Sequence, residues 1–203
     1  MLPPLPVAGF TPFTTIDYPG RLSAVVFCQG CPWRCPYCHN AAFRSFSAVG
    51  EIPWTEVVRK LWGRRGWIEA VVFSGGEPTA HPGLGAAMEE VREMGFDIGL
   101  HTAGVYPEAF RKVVGKADWV GFDVKAPFGP LYDRIAGTSG AAQRAFESFQ
   151  ILLASGKPYQ LRTTVDPRFM TSEDVREINA EVGDCGAAPV TVQTAQPLGL
   201  LAE

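Results

Sequence analysis

Six short apolar runs alternate along the chain with stretches whose apolar residues fall at helical spacing, and this alternation limits the fold more than any other feature. The runs cover 23–28, 70–73, 96–100, 119–124, 159–165 and 190–193. The first, Ser23-Ala-Val-Val-Phe-Cys28, is rich in β-branched residues and stops at Gly30, as a buried strand does. Helices are expected over 54–64, 84–94, 107–116, 143–154 and 172–182. Trp54, Val57, Val58, Leu61 and Trp62 share one helical face, Pro107 suits a first turn, and Ser172-Glu-Asp174 supplies an acidic one. Strands alternating with helices predict an α/β fold with a parallel sheet and right-handed crossovers. Six strands are too few for a closed eight-stranded barrel, so a doubly wound sheet and a partial barrel both fit. In either, chemistry gathers at the carboxyl ends of the strands.

With 203 residues, the chain reads as a single domain, 1–203, of ordinary soluble composition. Net charge is −3, so no global basic field favours nucleic acid or an anionic membrane. The start, Met1-Leu-Pro-Pro-Leu-Pro-Val-Ala-Gly-Phe10, lacks the basic segment of a signal peptide and is broken by prolines. No apolar run approaches the roughly 20 residues needed to span a bilayer. A cytoplasmic location is the expectation, and there clustered cysteines bind metal or do redox chemistry more often than they form disulfides.

Four of the five cysteines fall in Cys28-Gln-Gly-Cys31-Pro-Trp-Arg-Cys35-Pro-Tyr-Cys38-His-Asn40. A zinc site usually joins two C-x-x-C knuckles a dozen or more residues apart, whereas only three residues separate Cys31 from Cys35. A ferredoxin-type run has a different order of spacings. A third reading takes Cys31, Cys35 and Cys38 as three soft ligands of a four-iron cluster, leaving one iron open for chemistry. Cys28 as a fourth ligand would close that iron. A small apolar residue at the end of a buried strand is the plainer role for it, and Cys185 reads as a spare thiol.

Two further loops follow strands. Ser74-Gly-Gly-Glu77-Pro78 combines glycines, which admit close approach to the backbone, with a carboxylate suited to an ammonium; alone, Gly-Gly is only a turn signal. Asp123-Val-Lys125 places two charges on one side of an extended chain, either facing a ligand or forming an ordinary surface ion pair.

The C-x-x-x-C-x-x-C spacing with Tyr37 before the last cysteine resembles the signature of the radical S-adenosylmethionine superfamily. The order of Thr14-Thr-Ile-Asp-Tyr-Pro-Gly20, the cysteine run, Ser74-Gly-Gly-Glu-Pro-Thr79, Phe122-Asp-Val-Lys-Ala-Pro127 and Leu161-Arg-Thr-Thr-Val165 is similar to glycyl-radical-enzyme activating proteins. Within them it is most like the activators of anaerobic ribonucleoside-triphosphate reductase, and the resemblance runs from about Gly9 to Gln196. It implies a partial (β/α)6 barrel with a parallel six-stranded sheet, and a [4Fe–4S] cluster on Cys31, Cys35 and Cys38. It also implies S-adenosylmethionine bound near Tyr37, Ser74, Gly75, Gly76, Glu77, Asp123, Lys125, Thr163 and Thr164, with Arg162 to Val165 lining the adenosyl side. The implied reaction is reductive cleavage of S-adenosylmethionine, then hydrogen abstraction from a backbone glycine of a glycyl radical enzyme. A flavodoxin or ferredoxin-type protein would supply the electron.

His101-Thr-Ala-Gly104 departs from the Asp-Thr-Asn-Gly common in such enzymes, so the aspartate's role is not carried over to His101. Two rival readings remain at this stage. One keeps the radical chemistry on a small metabolite or another peptide; the other is a non-catalytic iron–sulfur or zinc binding module.

Overall fold

A computed structural model describes residues 3–47 and 52–195. Met1, Leu2 and Gln196, the outer limits of the stretches considered above, lie outside the described residues. Seven strands form one sheet: β1 (Val7–Thr14), β2 (Ser23–Cys28), β3 (Ala70–Gly75), β4 (Asp97–Thr102), β5 (Trp119–Asp123), β6 (Tyr159–Val165) and β7 (Thr191–Thr194). The helices are α1 (Trp54–Trp62), α2 (Leu84–Glu93), α3 (Pro107–Val113), α4 (Pro130–Ala136), α5 (Ala141–Ser155) and α6 (Ser172–Asp184).

The expected six-stranded sheet is thus corrected to seven strands, six parallel and one antiparallel. The addition is β1, which runs antiparallel to β2 through a segment containing Gly9 and Pro12. Proline has no N–H to donate, so such a segment is tolerated only at a sheet edge or an irregularity. Both conditions hold, because β1 is an edge strand and its register shifts between Thr11 and Thr14, across Pro12. The short helix α4 also has no counterpart in the sequence reading. Its seven residues are fewer than the window over which helical periodicity shows.

Strand order follows chain order from β1 to β7 without reversal. A doubly wound sheet needs a switch point where the order turns back, so this is not one. The order is that of a barrel that does not close, since among the described residues β1 and β7 are both edges. Among the described residues no helix is long and apolar enough to cross a membrane.

Alternation along the strands separates two faces. Ala24, Val26 and Cys28, then Val71 and Phe73, Ile98 and Leu100, Val120 and Phe122, and Leu161 join the helices in the main core. Burying side chains such as Phe73, Leu100 and Phe122, all at 0% exposure, stabilises by about 1.5–3 kcal/mol each. The other face carries a small second cluster of Tyr18, Val25, Ala70, Val72 and Trp119 toward the amino ends of the strands. Further along that face the residues turn polar: Ser74, His101, Asp123 and Arg162.

Candidate functional site

The polar layer floors a cavity of about 350 Å³ at the carboxyl ends of the strands. Its wall is the cysteine loop, which the chain fastens at several points. Gly30 N and Cys31 N donate to Phe43 O and Arg44 O (2.6 and 3.0 Å), and Arg34 N donates to Ala136 O (2.8 Å). Trp33 is buried edge-on against Tyr132, with ring centroids 5.6 Å apart. Tyr37 is buried and its hydroxyl donates to Lys125 O (3.3 Å), while Asn40 Nδ2 donates to Gly75 O (3.0 Å).

Cys31, Cys35 and Cys38 all line this cavity, and Cys28 does not. Cys28 is in phase with Ala24 and Val26, so it points into the helix-covered core at 0% exposure. Burial, together with Glu77, pushes the Cys31 thiol up to about 12. Burial also raises Cys35, against the pull of Lys125. Cys185 is exposed and does not line the cavity.

The Ser74–Glu77 segment contributes Ser74, Gly75, Gly76 and Glu77 to the lining. The glycines serve the backbone of the cysteine loop as well as any ligand. Gly76 N donates to Cys28 O and Glu77 N to Gly30 O, both at 2.8 Å. A Cβ on Gly76 would collide with Gly30 O, and Gly75 has φ +102°, a region that favours glycine. Glu77 is 1% exposed. Its Oε1 accepts from Thr79 N (3.1 Å) and from the hydroxyls of Thr79 and Thr102 (both 2.6 Å), and its Oε2 accepts from Ala103 N (3.1 Å). Burial raises its pKa, and those four donors work against the rise.

Asp123 and Lys125 meet as a pair on the cavity wall, not as a surface ion pair. Lys125 Nζ lies 3.0 Å from Asp123 Oδ2, with side-chain exposures of 16% and 27%. Arg162 adds Nε and Nη2 to Asp123 Oδ1, both at 2.9 Å. Burial alone would raise Asp123; Arg162 and Lys125 outweigh it and hold the carboxyl below its usual range. Burial likewise opposes the charge on Lys125, and Asp123 reverses this and keeps it protonated.

Thr164 lines the cavity in phase with Arg162. Thr163, one residue out of phase, does not. It is 1% exposed with no hydrogen-bond partner for Oγ1, turned toward the core with Leu161. Of the two threonines expected near the ligand, Thr164 alone borders this cavity.

His101 belongs to the polar layer. Its Nε2–H donates to Asp17 O (2.8 Å), and Nδ1 faces Ser74 Oγ at 3.4 Å and Arg162 Nη1 at 3.5 Å. Burial, then Arg162, lower it to about 3, so the ring is neutral. Arg162 lines the cavity from the stretch expected on the adenosyl side, and Asp17, Thr102 and Gln193 also line it, residues that motif reading did not single out.

Three thiols border one cavity, yet among the described residues no three His, Cys, Asp or Glu side chains are grouped to hold a single metal ion. Three thiolates are soft donors of the kind that iron–sulfur centres use. Residues 25–182 match the family model described as the Radical SAM superfamily. The chain belongs to that superfamily.

Membership implies a [4Fe–4S] cluster and S-adenosylmethionine, and the donor set is compatible with both. A protein of Methanocaldococcus jannaschii, provisionally named as a glycyl-radical enzyme activating enzyme, is 31% identical over 189 residues, covering 88% of this chain and 76% of that one. The pyruvate formate-lyase-activating enzyme of Clostridium pasteurianum is 28% identical over 170 residues, covering 80% and 70%. Among solved structures, TYW1 with a lysine-pyruvate adduct bound is 15% identical with a TM-score of 0.65. That match covers 88% of this chain and 66% of TYW1, and it shows a shared fold.

Proposed function

We propose that this radical SAM protein is an activating enzyme. Cys31, Cys35 and Cys38 hold its cluster, and its target is a backbone glycine of a glycyl radical enzyme, with anaerobic ribonucleoside-triphosphate reductase the first candidate. One observation carries the reading: the three cysteines line the same cavity as Glu77, Asp123 and Lys125, while Cys28 is turned into the core. The relatives of known name on the activating side support the choice of substrate class.

When bound, the cluster and S-adenosylmethionine supply a one-electron reduction of the sulfonium and the hydrogen-atom abstraction that follows. The chain's own residues bind and orient. S-adenosylmethionine carries an ammonium, a carboxylate and a sulfonium, so it needs fixed charges of both signs. Lys125 and Arg162, locked on Asp123, provide cations that do not wander; Glu77 provides a carboxylate whose Oε2 accepts one internal bond. Tyr37, held by Lys125 O, offers a buried ring beside the cysteines. Thr164 and Gln193 border the cavity on β6 and β7, and β7 is the last strand of the sheet among the described residues, the side from which a partner's loop would enter.

The test is direct. After anaerobic reconstitution, the reduced protein with S-adenosylmethionine should release 5′-deoxyadenosine. Adding anaerobic ribonucleotide reductase from the same genome should give a glycyl radical doublet in electron paramagnetic resonance, and air should then cut the partner at that glycine. If 5′-deoxyadenosine forms while no glycyl radical enzyme of the genome responds, the activating role is wrong.

A further inference from the structure

A second pocket, of about 430 Å³, borders the cysteine loop and shares no lining residue with the main cavity. Arg34, Arg44, Ser45, Phe46 and Ser47 line it, and all but Arg44 are exposed. Arg34 Nη1 lies 3.5 Å from Cys31 O, and Arg44 Nη1 lies 3.5 Å from Cys35 O. Among the described residues neither guanidinium has a carboxylate partner. Phe46 is 54% exposed and its ring fills the space that a Cβ on Gly30, directly before Cys31, would take.

Each of these features points to a partner. Arginine and exposed aromatics are enriched at recognition surfaces, and a guanidinium matches a carboxylate fork. Among the described residues no buried polar side chain lines this open pocket, so it suits the flat acidic face of a protein better than an enclosed small anion. The two carbonyls that the arginines approach belong to two of the three cysteines assigned to the cluster. A carrier seated here would lie against the cysteine loop that would hold the cluster, and would leave the main cavity free for S-adenosylmethionine and substrate.

We propose that the Arg34–Arg44 pocket docks the acidic surface of a reduced one-electron carrier protein bearing a flavin or an iron–sulfur centre. The carrier is oxidised by one electron and the centre on the cysteines is reduced by one; no bond forms or breaks at the pocket. This rests on the function proposed above, which requires an electron from outside the chain.

An acidic bacterial flavodoxin is the probe. Its affinity for the reconstituted protein, measured by titration calorimetry at low and high salt, gives a readout independent of turnover. Stopped-flow bleaching of the cluster by flavodoxin hydroquinone gives the rate. The Arg34→Glu/Arg44→Glu variant should lose about tenfold or more in both affinity and rate at low salt, and the salt dependence of the wild type should disappear. Arg34→Lys/Arg44→Lys should keep most of both. Photoreduction by a small deazaflavin should proceed equally in all of them. Should charge reversal cost iron, Arg44→Gln makes the same comparison. Wild-type affinity and rate in the charge-reversed protein would overturn the proposal, as would loss of inorganic phosphate binding with flavodoxin binding unchanged. If the wild-type protein reconstitutes and releases 5′-deoxyadenosine while charge reversal has no effect on flavodoxin, this inference alone fails. If it takes up no iron, the proposed function fails first.

Discussion

At the scale of single residues, Cys28 and Cys31 are three positions apart and face different surroundings. Cys28 is enclosed by the core, and Cys31 lines the cavity. Replacing Cys31, Cys35 or Cys38 by Ala should abolish iron uptake. Cys28→Ala and Cys185→Ala should retain it in an iron assay after reconstitution, with Cys28→Ala costing about 1 kcal/mol of stability as a small core truncation. Glu77 presents a different problem, because its four donors would lose their acceptor in an Ala variant. The informative change is Glu77→Gln, which keeps shape and much of the bonding. It should weaken S-adenosylmethionine binding about tenfold in equilibrium dialysis with iron content unchanged, the loss expected for a charge-assisted bond. His101 sets a pH dependence. Its folded value is about 3 against an ordinary 6.5, so the unfolded chain binds the extra proton between those limits. Stability is therefore full above pH 6.5 and lost as pH falls toward 3, by about 2 kcal/mol between pH 7 and 5. Asp123, depressed below its ordinary 3.8, contributes with the same sign only at lower pH. Urea midpoints should show this slope, and His101→Gln should reduce it. The cysteines, Asp123 and Lys125 were legible in the sequence because spacing and strand-end position are local properties. The bonds of Arg162 to Asp123 and His101 to Asp17 span 39 and 84 positions, and no local pattern carries them.

At the scale of elements, the site depends on how closely the end of β3 lies against the start of the cysteine loop. The hydrogen bonds from Gly76 and Glu77 to Cys28 and Gly30 extend the β2–β3 ladder past the last paired residues, Cys28 and Gly75. A methyl group on Gly76 would meet Gly30 O, a backbone atom that cannot rotate away. Gly76→Ala should thus push the loop off the sheet, lowering thermal stability by several degrees and iron uptake together. Normal iron uptake in that variant would show that the loop is not held by this contact. Most of the parallel strands were legible to within a residue or two, since buried runs of Val, Ile and Phe bounded by glycine have few alternatives. The carboxyl ends were harder. Ser74 and Gly75, like His101 and Thr102, continue their strands in polar residues because they face the cavity instead of the core. β1 was hidden by its glycine and proline, and also by its place at an edge, where propensity counts for little.

At the scale of the whole molecule, strands that neighbour one another in the chain also neighbour one another in the sheet, from first to last. This has a consequence for how the protein is made. As the chain leaves the ribosome, each new strand finds its partner already present, so the sheet can grow from β1 onward without waiting for a distant segment. The cysteine loop emerges right after β2, whereas Asp123 and Arg162 follow some ninety to one hundred and thirty residues later. For that interval the three thiols stand on a growing sheet edge without the charged floor that later lies beneath them. Nascent chains stalled after β4 should already protect β2 and β3 from protease yet leave Cys31, Cys35 and Cys38 open to alkylation. Chains released after β6 should shield Cys35 most, because in the finished fold it is the most enclosed of the three. Synthesis thus opens a window in which an assembly machinery can reach the thiols, and the same window is when oxygen can do them the most harm.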